Sequence, residues 1–274
     1  ARAVANALNL PVVCCPTVAA SDAPCSALSV VYSEDGVFDR CLFYKRNPEL
    51  VLVDTAVIAG APVRYLVAGM GDALATWFEA ETVQRAARPN TLGGGGTLAA
   101  LAIARLCYQT LLQDGQAALI AARSGVITPA LERIIEANIL LSGLGFESGG
   151  LAVAHAIHNG LTAIPETHDF LHGEKVAFGT LVQLVMEGRP TAEIEEVMAF
   201  CVAVGLPLTL RQLGIASLEP AQARLIAERA MAPGETSHNE PFELTWPAVS
   251  DAIRAADALG RAFMDRSETD RRIG

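Results

Sequence analysis

A chain of 274 residues is long enough to bury a substantial core, as one large domain or two smaller ones. Hydrophobic residues make up 51% and aromatic residues only 5%, a balance that favours helices packed on helices over aromatic-rich strand sandwiches. The net charge of −10 argues against a nucleic-acid surface, and no apolar run reaches the ~18 residues of a membrane span. The expectation is therefore a soluble chain with no nucleic-acid and no membrane partner. Six cysteines show no metal-finger spacing, and adjacent Cys14 and Cys15 are poor disulfide partners. They read as reduced thiols of a cytoplasmic protein.

The chain opens on ARAVANALNL, a helical pattern already under way with neither initiator Met nor leader, and the expectation is that an N-terminal piece precedes it. PVVCCPT then has the β-branched character of a strand. SALSVVYSEDGVFDRCLFY reads as two alternating strands joined by a two-residue turn at Asp35-Gly36. ELVLVDTAVI reads as a strand buried on both faces. From Pro62 onward the apolar spacing becomes helical, in VRYLVAGMGDALATWFEAETVQRA, TLAALAIARLCYQTLLQD, ALERIIEANILLSGLGF, AEIEEVMAFCVAVGL and PAVSDAIRAADALGRAFMDR. The layout is a β-containing part, residues 1–61, followed by an all-α part, residues 62–274, with a solvated charged C-terminus. Three or four strands and one helix are too little to cover a buried sheet, so the strands read as half of a larger α/β unit. GGGG at Gly93–Gly96 joins two helices and follows no strand, which makes it a flexible connection rather than a phosphate loop.

Four of the five histidines, His155, His158, His168 and His172, fall in GGLAVAHAIHNGLTAIPETHDFLHGEKVAF. His155 and His158 stand at i and i+3 and share a helix face. His172 stands where a loop enters the next helix. One imidazole from each helix, with a carboxylate, is a common divalent-metal donor set. Scattered helix caps and half-buried polar niches would use the same residues. Asp72, between apolar residues and behind Gly69-Met70-Gly71, is the carboxylate to test; its alternative is an N-cap at a buried turn or helix start.

GMGDALATWFEAE, GFESGGLAVAHAIHNG, HGEKVAFGTLVQL and PTVAASDAPCSALSVVY together resemble the glycerol dehydrogenases of the iron-containing (type III) alcohol dehydrogenase family, whose fold is shared with dehydroquinate synthase. The resemblance implies that residues 1–61 are the remnant of a Rossmann-like NAD-binding domain and 62–274 a helical metal-binding domain. It implies Asp72, His155 and His172 as metal ligands, with His158 beside the site and His168 in a loop. Iron-dependent relatives carry a further His four residues after the Asp; here that residue is Thr76, and the reduced set suits Zn2+ rather than Fe2+.

The same resemblance places Thr17, Ala20, Ser26, Leu28 and Tyr32 along the nicotinamide side of NAD, with Ala20 where the family usually has Ser, and Asp22 facing the substrate. Packing within a strand is the competing role for Ser26 and Leu28. The implied activity is NAD-dependent oxidation of glycerol or a related vicinal diol to dihydroxyacetone. Asp72, His155 and His172 then bind the substrate through the ion, the proton leaves through Asp22, water or the cofactor ribose, and the assembly is a homo-oligomer. The family's Gly-Gly-Gly-Lys turn would lie upstream of ARAVANAL, so this chain is expected to take up metal but to bind NAD weakly. The alternatives are a noncatalytic metal-binding fragment and a sister polyol dehydrogenase.

Overall fold

A computed structural model describes residues 2–273 of the chain, with side chains through Arg266; the expectation of a solvated C-terminal end concerns side chains outside the described residues. The elements in order are α1 (Arg2–Ala7), β1 (Val13–Cys14), β2 (Leu28–Tyr32), β3 (Phe38–Phe43), β4 (Leu50–Val51), α2 (Thr55–Ala59) and α3 (Val63–Arg85). They continue with α4 (Leu98–Arg123), α5 (Pro129–Glu136), a π-helical turn (Ala137–Leu141), α6 (Ser142–Gly149) and α7 (Val153–Leu161). The last are α8 (His172–Met186), α9 (Thr191–Val204), α10 (Pro220–Ala230) and α11 (Trp246–Ile273). No single described helix is long and apolar enough to cross a membrane.

Strand content is slight. β1 pairs with β4 in parallel, and β2 pairs with β3 antiparallel, with an irregularity after Val31. The expected two-residue turn at Asp35-Gly36 is a longer one. Ser33 N–H bonds Val37 O at 2.8 Å, Gly36 N–H bonds Ser33 O at 3.0 Å, and Gly36 takes φ +79°, which a side chain would resist. The buried strand expected over ELVLVDTAVI is also corrected. Only Leu50–Val51 pairs, and Leu50 and Leu52 are 50% and 58% exposed. Asp54 then accepts from Ala56 N at 2.9 Å and Val57 N at 3.3 Å, an N-cap that turns TAVI into helix.

α3 is the axis of the helical part and packs against α4 on one side and α8 on another, while α7 lies on α8 and α10. Its mid-section is buried on every face, with Phe78 edge-on to Tyr108 at 5.1 Å. Asp72 is therefore in the interior of a 23-residue helix, not at a turn or helix start, and the N-cap alternative falls. The glycines before it serve close packing. A Cβ on Gly69 would lie 1.9 Å from Ala19 O, and one on Gly71 would lie 2.3 Å from Gly173 O. These approaches bring the N-terminal segment and the start of α8 onto α3 beside Asp72.

The π-helical turn reinforces the junction, since Asn138 Nδ2 donates to Ala19 O at 3.0 Å and Leu66 O at 3.1 Å. Glu147 on α6 does the same farther along, accepting from Ala27 N and Asn47 Nδ2, both at 2.6 Å. Gly93–Gly96 lie exposed between α3 and α4, as expected of a connection. All six cysteines are free; Cys25, Cys107 and Cys201 are buried, whereas Cys15 is exposed.

Candidate metal centre

Three elements converge on one point. α3 brings Asp72, the third residue of α7 is His155, and α8 begins with His172. One ligand atom from each lies within 4.8 Å of the others. Asp72 Oδ1 is 3.3 Å from His155 Nε2 and 3.1 Å from His172 Nε2. Ligands each about 2.1 Å from a shared ion stand roughly 3.0–3.4 Å apart, so both Asp72–histidine spacings fit a bound divalent cation.

Each donor is aimed by a second contact. The Asp22 backbone N–H donates to Asp72 Oδ2 at 3.1 Å, which leaves Oδ1 for the histidines. His155 Nδ1 meets Glu79 Oε2 at 2.6 Å, and His172 Nδ1 meets His158 Nε2 at 2.9 Å. Both Nε2 atoms are thus the ones turned to Asp72. α7 has no side-chain cap of its own, and distant residues serve its first N–H groups. Glu79 Oε1 accepts from Ala152 N at 2.8 Å and His155 N at 3.0 Å, and Gln183 Oε1 accepts from Ala154 N at 3.0 Å. Glu79 was not foreseen. Its one signal was position, seven residues after Asp72 and so two turns along the same helix face, a carboxylate inside an otherwise apolar stretch.

The electrostatics demand positive charge. Burial opposes ionisation of Asp72, yet the His172 and His155 rings hold its carboxyl far below the usual range. Burial likewise opposes a charged His155, but Glu79 and Asp72 push its pKa well above the ordinary value. Burial, then the Asp72 charge, raises Asp22 well above the ordinary carboxyl range. For His158, burial and the neighbouring His172 and Lys175 act together to push it well down, so it is a neutral imidazole. A carboxyl-rich pocket around the His155 and His172 imidazoles accommodates a cation readily.

The remaining predicted residues separate. Asp22 is buried beside the triad, and its Oδ2 accepts from Ser142 Oγ at 2.8 Å. Thr76, in the place of the iron enzymes' extra histidine, pairs with Ser142 Oγ at 2.8 Å and so belongs to the Asp22 network. His168 lies outside the cluster, with Nε2 on Thr162 O at 2.9 Å. Thr17 is exposed, Ala20 is half-buried and Leu28 is buried. Ser26 is fully buried, its hydroxyl donating to Ala23 O at 3.0 Å, so it supports the segment from within. Tyr32 is partly exposed; burial of the remainder and the Asp72 charge push its phenol up to about 12.

No family model matches the chain. A glycerol dehydrogenase from Escherichia coli is 56% identical over 268 residues, covering 98% of this chain and 73% of its own length. One from Thermotoga maritima is 55% identical over 261 residues, covering 95% and 72%. The crystal structure of glycerol dehydrogenase from Schizosaccharomyces pombe superposes with a TM-score of 0.96 at 43% identity, covering 98% of this chain and 68% of that one. The fold is thus dehydroquinate synthase-like, a small α/β part followed by an all-α part, and the class is oxidoreductase. The chain belongs to the glycerol dehydrogenase family.

Proposed function

We propose that this chain carries the active site of an NAD-dependent dehydrogenase that oxidises glycerol, and related vicinal diols, with glycerol going to dihydroxyacetone. The observation that carries the reading is the convergence of Asp72, His155 and His172 in a chain that is 56% identical to a glycerol dehydrogenase. Asp72 Oδ1 and the Nε2 atoms of His155 and His172 would hold one divalent ion. Zn2+ is preferred to Fe2+ because Thr76 offers no further imidazole. When bound, the ion supplies Lewis acidity that eases ionisation of a substrate hydroxyl, and NAD supplies the hydride acceptor.

The chain's own residues prepare that chemistry. Glu79 and His158 fix the two imidazoles, and the Asp22 N–H fixes the Asp72 carboxylate. Asp22, buried beside Asp72, is the proposed acceptor for the hydroxyl proton, at the oxygen that Ser142 does not occupy. Thr17, Ala20, Ser26, Leu28 and Tyr32 belong to the segment pinned against the triad by Asp22 and Asn138, which supports their assignment to the nicotinamide side. The free cysteines support a cytoplasmic setting. The exposed apolar side chains Leu98, Leu106 and Ile120 support a homo-oligomer.

The test is NAD reduction by the purified native protein. NADH should form with glycerol, stop after chelation and return with added zinc. A zinc-reconstituted protein that reduces no NAD with glycerol or any other vicinal diol would overturn the reading.

A further inference from the structure

We propose that Glu235 is a positioning residue for His172, acting through Asn159 and His158 to keep the His172 Nε2 lone pair available as a ligand; this rests on the reading of Asp72, His155 and His172 as the metal site. The four side chains form an unbroken relay. His172 Nδ1 lies 2.9 Å from His158 Nε2, His158 Nδ1 lies 3.0 Å from Asn159 Oδ1, and Asn159 Nδ2 donates to Glu235 Oε2 at 2.9 Å. His158 and Asn159 are buried, 2% and 9% exposed, and Glu235 stands 76 residues along the chain from Asn159, in the segment after α10.

The relay has a direction, and the carboxylate sets it. A carboxylate only accepts, so it draws the amide Nδ2 and turns Asn159 Oδ1 toward His158. Oδ1 also only accepts, so His158 Nδ1 must carry the hydrogen. A neutral His158 then has a bare Nε2, which accepts from His172 Nδ1–H. That bond keeps the His172 proton on Nδ1, away from the atom that would bind metal.

Asp72 pulls the other way. In the metal-free site its Oδ1, 3.1 Å from His172 Nε2, invites a proton onto that nitrogen. Without the anchor at Glu235 the amide of Asn159 can turn over and offer Nδ2–H to His158 Nδ1. His158 then carries its hydrogen on Nε2 and donates to His172 Nδ1, and His172 is left with Nε2–H. An ion must reverse that polarity before it can bind. Glu235 thereby offsets Asp72 from the opposite end of the relay.

The experiment uses the full native chain labelled with 15N-histidine, metal-free, at about pH 8, well above the ordinary carboxylate range because burial raises the Glu235 carboxyl. Nitrogen–proton correlation spectra read the His158 tautomer, and competition with a chromophoric chelator reads Zn2+ affinity. Wild type should show His158 in the Nδ1–H form. Glu235→Gln, which keeps an acceptor oxygen, should retain that form and bind Zn2+ within roughly threefold of wild type. Glu235→Leu should show the Nε2–H form and bind Zn2+ roughly 10–100-fold more weakly. Asn159→Leu, which ends the relay at His158, carries the same expectation should Glu235→Leu not fold. His158 in the Nε2–H form in wild type would overturn the proposal, as would leucine variants with unchanged tautomer and Zn2+ affinity. If wild type takes up no Zn2+, the metal-site reading fails, while the tautomer spectrum still decides the relay.

Discussion

Glu79→Gln separates the architectural work of Glu79 from its work on the metal ligand. Oε1 accepts the Ala152 and His155 backbone N–H groups at 2.8 and 3.0 Å, and Oε2 pairs with His155 Nδ1 at 2.6 Å. Glutamine keeps one acceptor oxygen for the two N–H groups, so the loss of stability is confined to the charged bond with His155, about 1.5–3 kcal/mol. Its amide nitrogen, however, only donates, and it forces His155 to carry its hydrogen on Nε2, the atom turned to Asp72. A charge-assisted hydrogen bond of this kind is worth about 1.5–3 kcal/mol. At about 1.4 kcal/mol per decade, Zn2+ binding should weaken roughly 10–100-fold. Glu79→Ala would instead strand both N–H groups in the core, at about 1–3 kcal/mol each, a large part of a domain's stability. Urea unfolding of the metal-free protein and chelator competition for Zn2+ measure the two effects independently. A Glu79→Gln protein with wild-type Zn2+ affinity, or one as unstable as Glu79→Ala, would refute the reasoning.

Two further outcomes are expected. His155→Ala or His172→Ala should abolish metal retention in elemental analysis, whereas His168→Ala should leave retention unchanged, since the wild-type His168 Nε2 meets Thr162 O at 2.9 Å away from the cluster; equal losses from His168→Ala and His172→Ala would break the ligand assignment. Glu240 is 1% exposed, and burial, with Glu187 and Glu79 nearby, raises it to about 8, against a smaller downward pull from the Val153 backbone N–H. Its folded value lies above the unfolded one of about 4.3, so the folded state binds the proton more tightly and stability is lost as pH climbs from there toward 8, by up to ~1.4 kcal/mol per unit. Glu240→Gln should therefore gain on wild type steadily from about pH 5 to about pH 8 in urea unfolding, and a pH-independent difference would contradict this.

The long helices were legible because their apolar spacing persists over many turns. The short strands were not, since Leu50–Val51 is two residues long and Asp54 caps the next residues into a helix. Asp72 stands out in the sequence and lies beside His155 and His172 in the structure, but its backbone differs from the expected turn or helix start. Gly69 and Gly71 suggest a break, whereas each admits a neighbouring backbone within 1.9 and 2.3 Å of where its Cβ would sit, a tertiary fact with no local signature. The histidines were legible by type and spacing. Their supports were not: Glu79 meets His155 across 76 residues, and Ser142 meets Asp22 across 120, distances that periodicity cannot span. Thr76 shows the converse case, where a missing histidine was visible in the sequence and its bond to Ser142 accounts for the hydroxyl in its place.

A single ion held by Asp72, His155 and His172 is the feature on which the proposed chemistry depends. Anomalous diffraction at the zinc edge, on crystals of the native protein reconstituted with Zn2+, tests it most directly. One peak per chain is predicted, about 2.0–2.2 Å from Asp72 Oδ1 and from Nε2 of both His155 and His172. A peak elsewhere, or none at this triad in protein that has taken up zinc, would contradict the assignment.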